Sequence, residues 1–262
     1  MKSKSAKTRL GIILAVSSLM ALLLFAAVAH SDPFGATITY LANATKGATN
    51  GTVSNYTGGG TSAGGYIFYT NISGLQQNLR WKGYVGNVSG KFTLDDASGN
   101  TLYDWSIIGS PTGEVYSTRQ SGTINWSTIK CSYYNTTEIE NLRLNQTNPS
   151  DNISATFDAS DNKAFTIGTV SIAANTCNTT NLYVNDSTPA GDTFEEVLLY
   201  DGNSLQLLNE TSNAGNIVYA AIIEKDVSGF DTRTYDFQMM LPEVGLPTWT
   251  SSLAYYFYIE LT

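Results

Sequence analysis

Apolar and polar residues alternate in short runs along most of this chain. The runs are broken by clusters of Gly, Asn, Asp and Pro, a pattern of strands rather than helices. A first group of expected strands covers residues 66–70, 79–85, 91–94, 101–107 and 114–118, and a second covers 153–157, 164–172, 181–184, 194–200, 217–223, 233–240 and 254–261. Asp95 to Asn100 reads as a hairpin turn, and Asp201-Gly202-Asn203 as another. Residues 137–144 suit one short helix, with Thr136 as its cap and Ile139 and Leu142 on one side. The expected fold class is all-β, an antiparallel β-sandwich, either one large or two small and fused, spanning 66–262. A division would fall near Asn148-Pro149. A bridge between Cys131 and Cys177 would straddle that point, which favours one domain.

Upstream the pattern differs. Residues 36–41 alternate over one strand's length, with Ala36, Ile38 and Tyr40 on one side, and then the periodicity stops. Residues 43–65 are almost all Asn, Thr, Gly, Ser and Ala, a flexible linker in composition. As a Gly/Ser-type coil such a tether has a root-mean-square span of about 26 Å. A strand so tethered, at 32–42, is a candidate donor that could dock on its own domain or on a neighbour.

The first 31 residues read as a secretory signal. Lys2, Lys4, Lys7 and Arg9 precede an apolar run over 10–29, and Ala27-Val28-Ala29 offers a small-x-small cleavage site. The run is also long enough to span a bilayer, so a retained anchor or pilin-like N-terminal helix is the alternative. Removing residues 1–31 removes four cations and no anion and takes the net charge from −8 to −12. Nucleic acid is excluded as a partner on that balance, because its binding needs Lys and Arg against phosphates. A membrane is a partner only if the N-terminal helix stays.

A secreted chain makes its Asn-x-Ser/Thr triplets meaningful. Twelve are present, at Asn43, Asn50, Asn55, Asn71, Asn87, Asn125, Asn135, Asn145, Asn152, Asn178, Asn185 and Asn209. With 22 Asn and 58 Ser plus Thr in 262 residues, chance gives about five, so a heavily N-glycosylated surface is expected. Cys131 and Cys177 are the only cysteines, and in an oxidising compartment they are expected to pair.

Three stretches carry a resemblance. Trp81-Lys82-Gly83-Tyr84-Val85-Gly86-Asn87-Val88-Ser89-Gly90, then Thr101-Leu102-Tyr103-Asp104-Trp105 with Gly113-Glu114-Val115-Tyr116, and later Tyr235 to Glu243, resemble blocks in a group of uncharacterised archaeal secreted or surface proteins. That resemblance implies a compartment and a family shape and names no reaction. The lone first strand with its tether also resembles, in layout, archaeal filament subunits whose N-terminal strand completes a neighbour's sheet.

Catalytic chemistry is poorly provided for. His30 is the only imidazole and lies at the signal cleavage site, so a Ser or Cys nucleophile has no base. Asp104, Glu114, Glu195, Glu196 and Glu224 lie in or beside expected strands, and a glycosidase needs two facing acids, which spacing alone does not identify. The Asp95, Asp96 and Asn100 oxygens form a weak Ca²⁺ candidate without the EF-hand spacing. Trp81, Trp105, Trp126 and Trp249 could stack on sugars, with surface glycans as partner. The expectation is a non-enzymatic, extracellular, glycosylated structural protein with no cofactor, self-associating by strand addition into a pilus-like filament or surface layer. A secreted carbohydrate-binding sandwich is the alternative.

Overall fold

The computed structural model describes residues 31–43, 73–107, 111–119, 124–189, 191, 193–202, 216–245 and 253–262. The signal region, most of the 43–65 tether and the expected strand at 66–70 lie outside them. The chain is mostly β, and every strand pairing is antiparallel.

In chain order the strands are β1 (Phe34–Gly35), β2 (Trp81–Gly86), β3 (Lys91–Asp95), β4 (Thr101–Ser106), β5 (Gly113–Thr118), β6 (Lys130–Cys131), β7 (Phe165–Ile167), β8 (Val170–Ile172), β9 (Thr179–Asn181), β10 (Glu195–Tyr200), β11 (Ile217–Ile222), β12 (Val227–Ser228), β13 (Thr234–Tyr235), β14 (Phe237–Pro242) and β15 (Tyr256–Leu261). A seven-stranded sheet runs β1-β15-β5-β11-β10, and β6 and β9 share the far side of β10. Strands from both halves of the sequence therefore interleave in one sheet. The pairs β2–β14, β3–β4, β7–β8 and β12–β13 stand outside it.

The central strands β5, β10 and β11 are buried along their whole length, because both faces of the sheet are covered. Their period of two divides the core. Val115, Leu198, Ile217, Tyr219 and Ala221 face one cluster with Met239 and Leu241 of β14 and Ile153 and Phe157. Tyr116, Val197, Leu199, Val218 and Ala220 face a second with Trp126, Ile167 and Ile172. A strand buried on both sides reads as a continuous apolar run, as Val197-Leu198-Leu199-Tyr200 and Ile217 to Ile222 do.

Helix α1 (Tyr134–Arg143) lies against the first cluster and starts three residues before the expected one, with Tyr133 as N-cap in place of Thr136, which is buried. Its end is a Schellman motif: Asn145 adopts φ 52°, its N–H donates to Leu142 O and that of Gln146 to Asn141 O. Arg119 binds the buried Glu140 carboxylate through two hydrogen bonds of 2.7 and 2.9 Å and ties α1 to the end of β5.

Several expected strands are corrected, and the one expected at 233–240 is two strands, β13 and β14, in different sheets. Residues 153–157 form helix α2 (Ile153–Thr156), because Asn152 caps it by accepting from Ala155 N. The single strand expected at 164–172 is instead the hairpin β7–β8, turned at Gly168 with φ 54°.

Candidate functional site

The near edge of the main sheet is β1 of the N-terminal segment, laid on β15. Phe34 pairs with Ile259, Gly35 with Tyr258, and Ala36 N donates to Phe257 O at 2.8 Å. Pro33 is buried and Asp32 lies against Gly168, so the residues just before β1 anchor the segment. The expected assembly strand at 36–41 forms no strand within the single chain. The paired residues are Phe34 and Gly35, and Ile38 (60%), Tyr40 (70%) and Leu41 (89%) stand exposed instead of filling inward pockets.

Beneath this edge lies a buried acidic cluster. Glu114 of β5 and Glu260 of β15 are direct cross-strand partners on the face of the second core, and both are buried. The Tyr116 hydroxyl lies 3.2 Å from a Glu260 oxygen and 3.4 Å from a Glu114 oxygen, and Gly168 N donates to Glu260 Oε1 at 2.9 Å. Donors converge on Glu260. Burial, and then the neighbouring Glu260 charge, push the Glu114 carboxyl up to about 8, so at neutral pH it carries a proton. The Tyr116 hydroxyl is raised by the same burial and by both carboxylates.

The carboxylates considered for catalysis are not brought together. Glu195 and Glu196 are adjacent in β10 and so face opposite sides of the sheet, Glu195 accepting from Lys163 N and Glu196 from Met240 N at 2.9 Å. Burial raises the Glu196 carboxyl well above the usual range. Glu224 pairs with Lys163, and Asp104 pairs with Lys91 on the exposed β3–β4 hairpin. Glu114 and Glu260, which lie under the sheet's edge strand, are the close pair, and alternation within β5 and β15 marks only that each shares a face with Tyr116 and Tyr258. A shallow cavity of about 360 Å³ lies elsewhere, between residues 127–131 and 170–173, and no acid lines it.

Asp95 and Asp96 sit in the β3–β4 turn with Asn100. One Asp96 oxygen accepts from Ser98 N and Asn100 N, each at 2.8 Å, and the other from Asn100 Nδ2 at 2.8 Å. These hydrogen bonds hold the Asp96 carboxyl below its ordinary value. Asn100 turns its amide nitrogen rather than its oxygen to Asp96, which is not a ligand arrangement. Among the described residues no group of three or more His, Cys, Asp or Glu is placed to hold a metal.

Cys131 and Cys177 are bridged with Cα atoms 4.8 Å apart, linking β6 to the segment that enters β9. Of the glycan acceptors, Asn43, Asn87, Asn125 and Asn185 are exposed, and Asn145, Asn152 and Asn178 are half-buried. Asn178 Nδ2 donates to Phe157 O at 3.0 Å. Asn50, Asn55, Asn71 and Asn209, and the Asn135 side chain, lie outside the described residues. Of the aromatic candidates, Trp126 is buried, Trp81 packs on the first core with Nε1 donating to Asp151 O, and Trp249 lies outside the described residues. Trp105 is exposed, edge to face with Tyr103 at 5.0 Å. Among the described residues no helix is long and apolar enough to cross a membrane.

No family model matches this chain, and no curated protein or solved structure matches it.

Proposed function

We propose that this chain is an extracellular, glycosylated, non-enzymatic structural protein whose subunits join by β-strand addition into a filament or surface layer. The observation that carries the reading is the N-terminal segment. It engages the sheet edge for two residues and then leaves with Ile38, Tyr40 and Leu41 in water. An extended, uncharged apolar segment of that kind is the form a donor strand takes, since main-chain pairing supplies affinity and alternate side chains supply fit. The signal-like N-terminus, the excess of glycan acceptors and the likeness to archaeal surface proteins support the compartment. In the same reading the β2–β14 pair over the main sheet is the second layer of a sandwich. The face-opposed Glu195 and Glu196 and the hydrogen-bonded Asp96 favour a structural role over hydrolysis or calcium binding.

Deleting residues 32–45 from the full chain tests it. Polymers seen by negative-stain microscopy and sedimentation should be lost while the monomer keeps its cooperative unfolding. Polymers unchanged by the deletion would refute strand addition.

A further inference from the structure

The hairpin β3–β4 is the strand pair left exposed along its whole length among the described residues. All residues of both strands are exposed, and among the described residues no other strand pairs with either outer edge. Its ladder sets Phe92 opposite Trp105 and Leu94 opposite Tyr103, which puts these four side chains on one face. They are 45 to 60% exposed. At roughly 200 Å² for each large side chain, half of it in water, the face presents about 400 Å² of apolar surface. A two-stranded hairpin is marginal in water, and a third strand with a hydrophobic face is what makes such a unit stable.

We infer that the third strand is residues 36–41 of a second copy of this chain, laid along a free edge of the hairpin with Ile38 and Tyr40 extending the Phe92, Leu94, Tyr103 and Trp105 face. This rests on the strand-addition reading and names its acceptor. The placement of the two surfaces makes the contact intermolecular. The base of the hairpin abuts the end of β15, where a side chain on Gly90 would collide with Leu261. β1 runs antiparallel to β15, so the chain passes from Ile259 to Phe257 and away from that end. Donor and acceptor therefore start from opposite ends of β15, about 13 Å apart along the strand, and a docked β1 leads its own residues 36–41 away from the end where its own hairpin is rooted. Such a contact is head to tail and builds an open filament. The donor segment carries no charge, so nothing in it opposes the apolar face. Counting both surfaces and the paired backbone, about 1,000 Å² leaves the water, the lower range of a specific interface.

The test uses two populations of the full chain, one carrying Tyr40→Cys and the other Leu94→Cys, with Phe92→Cys as a second acceptor. Mixed and oxidised, they should give disulfide-linked dimers at least about tenfold above either variant alone, on non-reducing gels. In parallel, the double variant Phe92→Ser/Trp105→Ser, which changes only exposed side chains, should raise the concentration needed for polymers by at least about tenfold with unaltered monomer unfolding. Polymers that form normally in the double variant, without cross-links in either mixture, would overturn the hairpin as acceptor and leave strand addition standing. A wild-type chain that forms no polymer would overturn both.

Discussion

The carboxyl pair under the sheet edge makes stability depend on pH in a direction opposite to that of an ion-paired acid. Glu114 is raised from 4.5 to about 8 in the fold. Below about pH 4.5 it is protonated in both states and costs nothing. Between 4.5 and 8 the unfolded chain releases the proton that the fold retains, and stability falls by about 1.4 kcal/mol per pH unit. The loss reaches roughly 3 kcal/mol at pH 7 and levels off at about 5 kcal/mol above pH 8. Glu114→Gln keeps the shape but has no proton to lose. Urea unfolding of wild type and variant from pH 4 to 9 should give equal stabilities near pH 4.5 and a variant more stable by about 3 kcal/mol at pH 7. Both proteins keep a further decline with pH from Glu196, whose burial acts in the same direction. The groups facing Glu114 are Glu260 on β15 and Tyr116 on its own strand, with Gly168 and Asp32 beyond Glu260. Curves that run parallel between pH 5 and 8 would show that Glu114 ionises normally and that the pair is not coupled.

Replacing Cys131 and Cys177 together by Ala should lower unfolding stability by about 4 kcal/mol, the chain-entropy value for a loop of this length; a loss below about 1 kcal/mol in denaturant titration would mean that β6 and β9 hold without it. Gly113 begins β5 at φ 127°, and a Cβ there would run into the Glu260 carbonyl oxygen. Gly113→Ala should therefore cost at least about 2 kcal/mol, read as a fall in melting temperature, and no change would refute the close approach of β5 and β15 at that point.

Strands that meet both cores were legible from the sequence because their apolar content is high and their ends carry turn residues. Expected strands at 194–200 and 217–223 match β10 and β11 to within a residue. The failures share a cause. Residues 153–157 are β-branched and aromatic enough to read as a strand, and the local cap at Asn152 decided otherwise. β1, β6 and β12 are two residues each, too short for any period to register, and their positions are set by the strands they join. The acid pair was hidden for a different reason. Glu114 and Glu260 are 146 residues apart, and only the register of β15 on β5 makes them neighbours.

The two borders of the main sheet are finished differently. On the far side, β10 is covered over most of its length by β6 and β9 in succession. The Cys131–Cys177 bridge ties β6 to the entrance of β9, so the two strands that cover β10 are held to each other. On the near side, β15 is covered at two register positions by β1, which no covalent link holds. A long unprotected edge invites pairing with another chain, and proteins that stay monomeric cover or charge it. Here one border is covered by two strands that a disulfide ties together. The other is closed by the N-terminal segment, whose continuation leaves exposed Ile38, Tyr40 and Leu41 beside it. On the strand-addition reading proposed above, the near border is therefore where the donor segment leaves the sheet, while its acceptor is the uncovered β3–β4 hairpin.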